Sequence, residues 1–370
     1  MAEISLLTTG VLLVGTCLFA VIKLFRIYYI RRIPAQNDST KSAKKASSSS
    51  IEPLLDFDFR NVPPTPYRPF KTISTGIKKE PMNNWISIDN GYLSRLAERE
   101  NIINAHTTKS INDVCATSLL VNPAISELYQ QLMSDYLPQR YPTMFKILRK
   151  NEHDIQSLLN VVTGKSYLIN TAGMGERQML RNISENGEDD FYIMCPDEDD
   201  VLRLRGFIAF FAPGGMFFRS RIGMSMSEIL EYAAGDDQRL GEGSDETISR
   251  IDVGLLTSSW WSIQTDGPLL WRRIGDNFYP NDGGTEPASW LPSIDVDKNF
   301  LRVERHTFTR LAKSQSVVFS VRSYLTPLRQ IKAEGDGEAL ANAIRSMPES
   351  MAGNKRKLHW KNEILSFLEG

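Results

Sequence analysis

LRVERHTFTRLAKSQSVVFSVRSYLTPL, residues 301–328, holds two runs in which side-chain character alternates with a period of two. In an extended chain, Arg302, Glu304, His306, Phe308 and Arg310 share one face, and Val303, Arg305, Thr307 and Thr309 the other. AKSQS, residues 312–316, is a polar break. The alternation resumes from Val317, with Val317, Phe319 and Val321 on one face and Ser320, Arg322 and Tyr324 on the other. Two such runs around a short turn predict a β-hairpin. Four arginines sit in this stretch. Their face is expected outside an apolar core, toward water, acidic partners or an anionic ligand. A solvated face with internal Arg–Glu pairs is the simplest reading. Arginine forks also suit carboxylates, including propionates.

Upstream of the hairpin, DFYIMC (190–195) and LRGFIAFFAPGGMFF (204–218) are short apolar and aromatic runs broken by Pro and Gly, and predict strands. SMSEILEYAAG (225–235) predicts a short helix opened by Ser225 or Ser227. SDETISRIDVGLLTSSWWSIQ (244–264) predicts a helix running into Trp260–Trp261. GYLSRLAERENIINAH (91–106) has Leu93, Leu96, Ile102 and Ile103 at helical spacing. NPAISELYQQLMSDYLPQRYP (122–142) predicts a helix with Asn122 as N-cap, Pro123 at the first position, and Pro138 and Pro142 ending it. NEHDIQSLLNVV (151–162) reads as a short helix, and residues 337–370 as helices around Pro348. The acidic runs ENGEDD (185–190) and DEDD (197–200) match no calcium loop and read as solvated loops.

The N-terminus differs from all of this. Ile4 to Ile22 carries no charge over 19 residues. As a helix it would span roughly 28 Å, close to a bilayer core. Lys23, Arg26, Arg31, Arg32, Lys41, Lys44 and Lys45 follow it. By the positive-inside rule, a single-pass membrane protein results, with the C-terminal bulk in the cytosol; the endoplasmic reticulum is the expected membrane. A cleaved signal peptide fits less well, because Glu3 precedes the run and no lysine or arginine does. The expected organisation is an anchor over 1–30, a polar linker over 31–62 and a domain over 63–370.

Composition excludes some classes. The 370 residues carry 43 Lys+Arg against 44 Asp+Glu, so no nucleic-acid-binding surface is expected. Cys17, Cys115 and Cys195 show neither metal nor disulfide spacing. AGMGERQ and LGEGSDE lack the strand and third glycine of a dinucleotide fingerprint. No nucleophile elbow stands out. His106, His153 and His359 lie in polar settings and read as surface residues.

An ordered set of motifs carries a family resemblance: PYRPF (66–70), WISIDNGY (85–92), LPQRYPTMF (137–145), EDDFYIM (188–194), RIGMSMSEI (221–229), WWSI (260–263) and the hairpin itself. Together they resemble the haem-dependent oxidative N-demethylase-like (HRQ) family, from about Pro66 to the C-terminus. The resemblance implies an α+β fold, a PAS-like antiparallel sheet with flanking helices. It also implies a haem, O₂ chemistry, an electron-donor reductase and a hydrophobic small-molecule substrate, as in membrane-anchored fungal enzymes of secondary metabolism. Arg302, Arg305, His306, Arg322 and Tyr324 are then the candidate cofactor-binding residues, with the arginines pairing propionates or holding a buried acidic network.

Two positions depart from the family pattern. Leu230 stands where relatives carry a histidine, and leucine cannot ligate iron. His306 stands where relatives commonly have Gln. Tyr232, Cys195 and His306 are the available substitute ligands. His306 is the first choice as the metal ligand, because it replaces a polar residue inside the arginine-rich hairpin. The competing reading is a haem-free member that serves as a small-molecule-binding or non-redox pocket protein.

Overall fold

The computed structural model describes residues 51–64, 78–105, 112–115, 118–149, 151, 155–210, 221–229, 244–251, 254–264, 296–346 and 355–370. The apolar run at 4–22, the PYRPF arm, Leu230 and Tyr232 lie outside the described residues. Among the described residues, no helix is long and apolar enough to cross a membrane.

Along the chain come β1 (Lys78–Glu80), α1 (Tyr92–Ala105), β2 (Asn112–Val114), α2 (Val121–Gln130), β3 (Phe145–Arg149), β4 (Ile155–Asn160), β5 (Ser166–Leu168) and α3 (Glu176–Ser184). Then follow β6 (Asp190–Pro196), β7 (Leu202–Ile208), α4 (Ser244–Ser249), β8 (Leu255–Gln264), β9 (Phe300–Arg310), β10 (Val317–Pro327), α5 (Leu328–Ala333), α6 (Gly337–Arg345) and α7 (Lys355–Glu369). The fold is α+β. A seven-stranded sheet runs β1-β8-β9-β10-β6-β7-β2, and a three-stranded sheet runs β3-β4-β5. Every pairing is antiparallel.

The expected hairpin is β9 and β10, paired from Val317↔Arg310 to Pro327↔Phe300. Its turn closes through Leu311 N–H donating to the Ser316 carbonyl at 2.8 Å, with Gln315 at a positive φ of 57°. The Glu127 carboxylate on α2 accepts from the Lys313 and Ser314 amides, each at 2.8 Å, and fixes the turn to that helix.

The sheet has two unlike faces. On the first, Tyr192, Met194, Leu204, Phe207, Leu256, Phe308 and Phe319 pack with Met226, Ile229 and Ile251. On the second, Phe191, Ile193 and Cys195 pack with α2 and α3, while Leu301 and Val303 pack with α5, α6 and α7. Both faces of the hairpin are therefore buried. This corrects the expected solvated face: Arg302, Glu304, His306 and Arg322 are all at most 3% exposed. Central strands covered on both sides leave no wet face, so the charges must pair internally.

Other elements differ from expectation. The helix expected over 244–264 stops at Ser249, and residues 255–264 form β8. Gly254, at φ 147°, separates them. The β-branched and aromatic run finds two partners, β1 and β9, which a helix would forfeit. Residues 155–160 are likewise a strand, paired on both sides. The helix expected from Asn122 begins at Val121, and Asn122 instead donates to Glu176 Oε1 at 3.0 Å, joining α2 to α3. It passes Pro138 through a π-turn over Gln131–Tyr136 and ends at Arg140. Ser225 does open a helix. Its hydroxyl accepts from the Glu228 amide at 3.3 Å, and the Glu228 carboxylate accepts from the Ser225 amide at 2.7 Å, a capping box.

The linker is shorter than expected. Residues 51–62 pack on the domain, with Phe59 buried against Tyr92 at 5.7 Å and Leu54 N–H donating to the Arg140 carbonyl at 2.9 Å. Four apolar side chains, Ile51, Leu54, Phe57 and Phe59, supply the burial that a free tether lacks.

Candidate active site

The five candidate residues divide between the two faces of the hairpin. Arg302 and His306 alternate with Arg305 along β9, while Arg322 and Tyr324 lie directly across from Arg305 and Val303. Arg302 and His306 therefore share the first face, and Arg305, Arg322 and Tyr324 the second. One planar cofactor cannot touch both sets through the sheet.

On the first face, Glu304 joins Arg302 to His306. Arg302 Nε donates to Glu304 Oε1 at 2.8 Å, and His306 Nε2 lies 3.2 Å from Glu304 Oε2. Arg302 also donates from Nη1 to Gln264 Oε1 at 3.3 Å and from Nη2 to Ser323 Oγ at 3.0 Å. Burial alone would raise the Glu304 carboxyl, but the Arg302 charge and the His306 contact outweigh it and hold the group below its usual value. An ionised Glu304 is an acceptor only, so His306 donates to it from Nε2. His306 Nδ1 is buried and without a hydrogen-bond partner. The ring meets Phe319 edge-on at 5.3 Å, and Phe319 stacks on Phe308 at 4.7 Å and on Tyr192 at 5.4 Å. A polar row thus runs into an aromatic floor.

The second face holds the acidic network. Arg322 Nη2 donates to Asp89 Oδ2 at 2.6 Å and Glu188 Oε1 at 2.9 Å, and Nε to the Tyr324 hydroxyl at 2.9 Å. Burial raises the Glu188 carboxyl against the opposing pull of Arg322. Asp189, fully buried with neither carboxylate oxygen hydrogen-bonded, is raised by burial as well. Arg305 is only partly buried and donates to the backbone carbonyls of Asn84 and, at 2.9 Å, Trp85. Asp190, at the start of β6, accepts from Arg99 Nη2 at 3.0 Å.

ENGEDD is therefore not a solvated loop over its last five residues: Asn186, Gly187, Glu188, Asp189 and Asp190 are all buried. DEDD is the exposed turn expected. The sequence signal for Glu188 and Asp190 was present, since they abut the apolar strand that pairs with an arginine-bearing one. Asp89 and Gln264 gave no such signal, because their partners are 233 and 38 residues away.

Of the substitute ligands, Cys195 faces α2 and α3, and burial pushes its thiol up to about 11. Tyr232, His106 and His153 lie outside the described residues, as does the side chain of His359. Among the described residues, no group of three or more His, Cys, Asp or Glu side chains could hold a metal ion. A haem needs an axial donor and a cavity for its ring; of the described candidate ligands, His306 offers a buried ring nitrogen without a hydrogen-bond partner.

The family model for haem-dependent oxidative N-demethylase, alpha subunit-like proteins matches residues 76–365. The chain belongs to that family. No curated protein matches it. The matched span of this demethylase-like chain covers both sheets and the whole hairpin, and its family is haem-dependent in general.

Proposed function

We propose that the chain is a membrane-anchored, haem-dependent oxidative enzyme, of monooxygenase or demethylase type, acting on a hydrophobic small molecule. One observation carries the reading. His306 has one ring nitrogen engaged by an ionised carboxylate and the other buried without a partner. A carboxylate on the far nitrogen fixes the tautomer and raises the basicity of the near one, the support that metal-ligating histidines use. Glu304 supplies it, and Arg302 keeps Glu304 ionised.

When bound, the haem would supply the oxidative chemistry of O₂. The protein's residues hold and shield it. His306 would hold the iron, the Tyr192–Phe308–Phe319 floor would exclude water, and Arg302, which also bonds Gln264, fixes the carboxylate behind the histidine. The second face is the structural half of a PAS-like layout, with Arg322 and Tyr324 tied into its acidic network. The anchor at 4–22 would hold the domain on the cytosolic side of the endoplasmic reticulum, where a lipophilic substrate from secondary metabolism partitions from the bilayer. A separate reductase would donate the electrons.

Expression of the full chain with ample haem tests this. The expected result is a Soret band that His306→Ala abolishes or shifts while far-UV circular dichroism is unchanged. A wild type without a Soret band overturns the proposal, and the haem-free pocket protein takes its place.

A further inference from the structure

α1, the C-terminal end of α3 and the turn between β4 and β5 enclose a cavity of about 260 Å³ that the haem reading does not use. Its wall is aliphatic. Leu93, Leu96, Ala97 and Ile103 follow one another at helical spacing along α1, and Glu100 interrupts them on the same side. Leu96 and Ile103 pack partly into the core, while Leu93 is 46% exposed. An apolar wall open to water beside convergent polar groups is the form of a small-molecule site.

Charges of both signs rim the cavity, and they are not equally engaged. Glu185 accepts from Arg181 Nε at 2.9 Å and from the Tyr167 hydroxyl at 3.1 Å, one donor on each oxygen. Lys165 Nζ lies 3.6 Å from Glu100 Oε1 and 3.9 Å from Glu185 Oε2. Both distances are too long for a hydrogen bond. Lys165 and Glu100 therefore attract each other while the ammonium keeps its donors and the carboxylate its acceptors unspent. Lys165 and Arg181 offset Glu100 and Glu185, so the rim favours neither a bare cation nor a bare anion.

A loose ion pair beside an aliphatic wall selects a molecule that carries both charges and an apolar body. The two charges must also sit close together, because one 3.6 Å pair has to receive them both. An ammonium and a carboxylate on a single carbon meet that condition, and each forms the charge-assisted hydrogen bonds that Lys165 and Glu100 do not form with each other. The cavity is also joined to the central sheet. Arg99, next to Glu100 on α1, lines it and donates to Asp190 at the head of β6, the strand that carries Tyr192.

We propose that this cavity binds a free α-amino acid with an apolar side chain. Its ammonium meets Glu100, its carboxylate meets Lys165, and its side chain lies against Leu93, Leu96, Ala97 and Ile103. The site stands apart from the first face of the hairpin and does not rest on the haem reading.

The test titrates the full chain, held in phosphatidylcholine nanodiscs, with L-phenylalanine and follows binding by saturation-transfer NMR against empty discs. Phenylalaninamide removes the carboxylate, N-acetylphenylalanine the ammonium and glycine the apolar body. Each is expected to bind roughly fivefold more weakly than phenylalanine, since the charges are partly exposed. Lys165→Met should weaken phenylalanine by the same factor and leave phenylalaninamide unchanged, while Glu100→Gln should weaken phenylalanine and leave N-acetylphenylalanine unchanged. Ala97→Trp, at an exposed position, should fill the cavity and abolish binding with far-UV circular dichroism unchanged. Failure of phenylalanine to bind, or binding that Ala97→Trp leaves intact, overturns the site. Equal affinity for phenylalanine and either charge-deleted analogue overturns the assignment to an amino acid. Neither result bears on the Soret band, so this proposal and the haem reading fail separately.

Discussion

Arg322 and Arg305 lie opposite each other on neighbouring strands, yet their environments differ enough to separate their energetics. Arg322 is buried and holds Asp89 and Glu188. Removing it strands two carboxylates in the core. Arg322→Ala should therefore cost about 3–5 kcal/mol in urea unfolding. Arg305 is partly buried and, among the described residues, donates to the carbonyls of Asn84 and Trp85, so Arg305→Ala should cost about 1.5 kcal/mol. Equal losses would show that burial does not govern the hairpin's charges. The alternation of residues 301–310 was legible in the sequence and placed Arg302, Glu304 and His306 on one face. Their burial was not legible. Hydropathy reads an Arg-Glu-His row as wet, and only partners from distant segments, such as Gln264 and Asp89, make it satisfiable inside.

At the scale of elements, the second face is closed by a helix pair that approaches very tightly. A Cβ placed on Gly337 would lie 2.9 Å from the Leu368 carbonyl oxygen of α7 and 3.6 Å from the Lys332 Cα. Gly337→Ala must push α7 off α6 and open the cluster around Leu340, Ile344 and Ile364. The expected cost is about 1–3 kcal/mol, seen as a lower urea midpoint. An unchanged midpoint would mean that the C-terminal helix is not tightly seated. β8 makes the complementary point. Its residues follow a helix-opening SDE, and local pattern extends that helix through Trp261. The strand exists because β1 and β9 offer hydrogen bonds along both edges, and those edges come from residues 78–80 and 300–310.

For the whole molecule, the buried carboxyls set opposing pH dependences. Glu188 and Asp189 are raised by burial, so on titrating upward the unfolded chain releases these protons first. Their contribution to stability therefore falls as pH climbs from about 4 through their folded values. Glu304 is lowered, so its contribution is present above the unfolded value and is lost as pH falls through the folded one. A urea-unfolding series over pH should show a loss of stability on the alkaline side of pH 4 that Asp189→Asn reduces, with stability at pH 8 higher in the variant. Identical pH profiles for the two proteins would contradict this assignment.

The sequence by itself determined the antiparallel hairpin, the strand at 190–196, the helix at 92–105, the two-faced alternation of the charged residues, and the family, because each is written in a local period or an ordered set of motifs. The tertiary structure decided which of those charges are buried, that residues 155–160 and 255–264 are strands, and that Arg302 and His306 are divided from Arg305, Arg322 and Tyr324 by the thickness of the sheet. The reason is physical. A period of two says which side chains share a face, while what covers that face depends on contacts across two hundred residues, and local pattern carries no information about those.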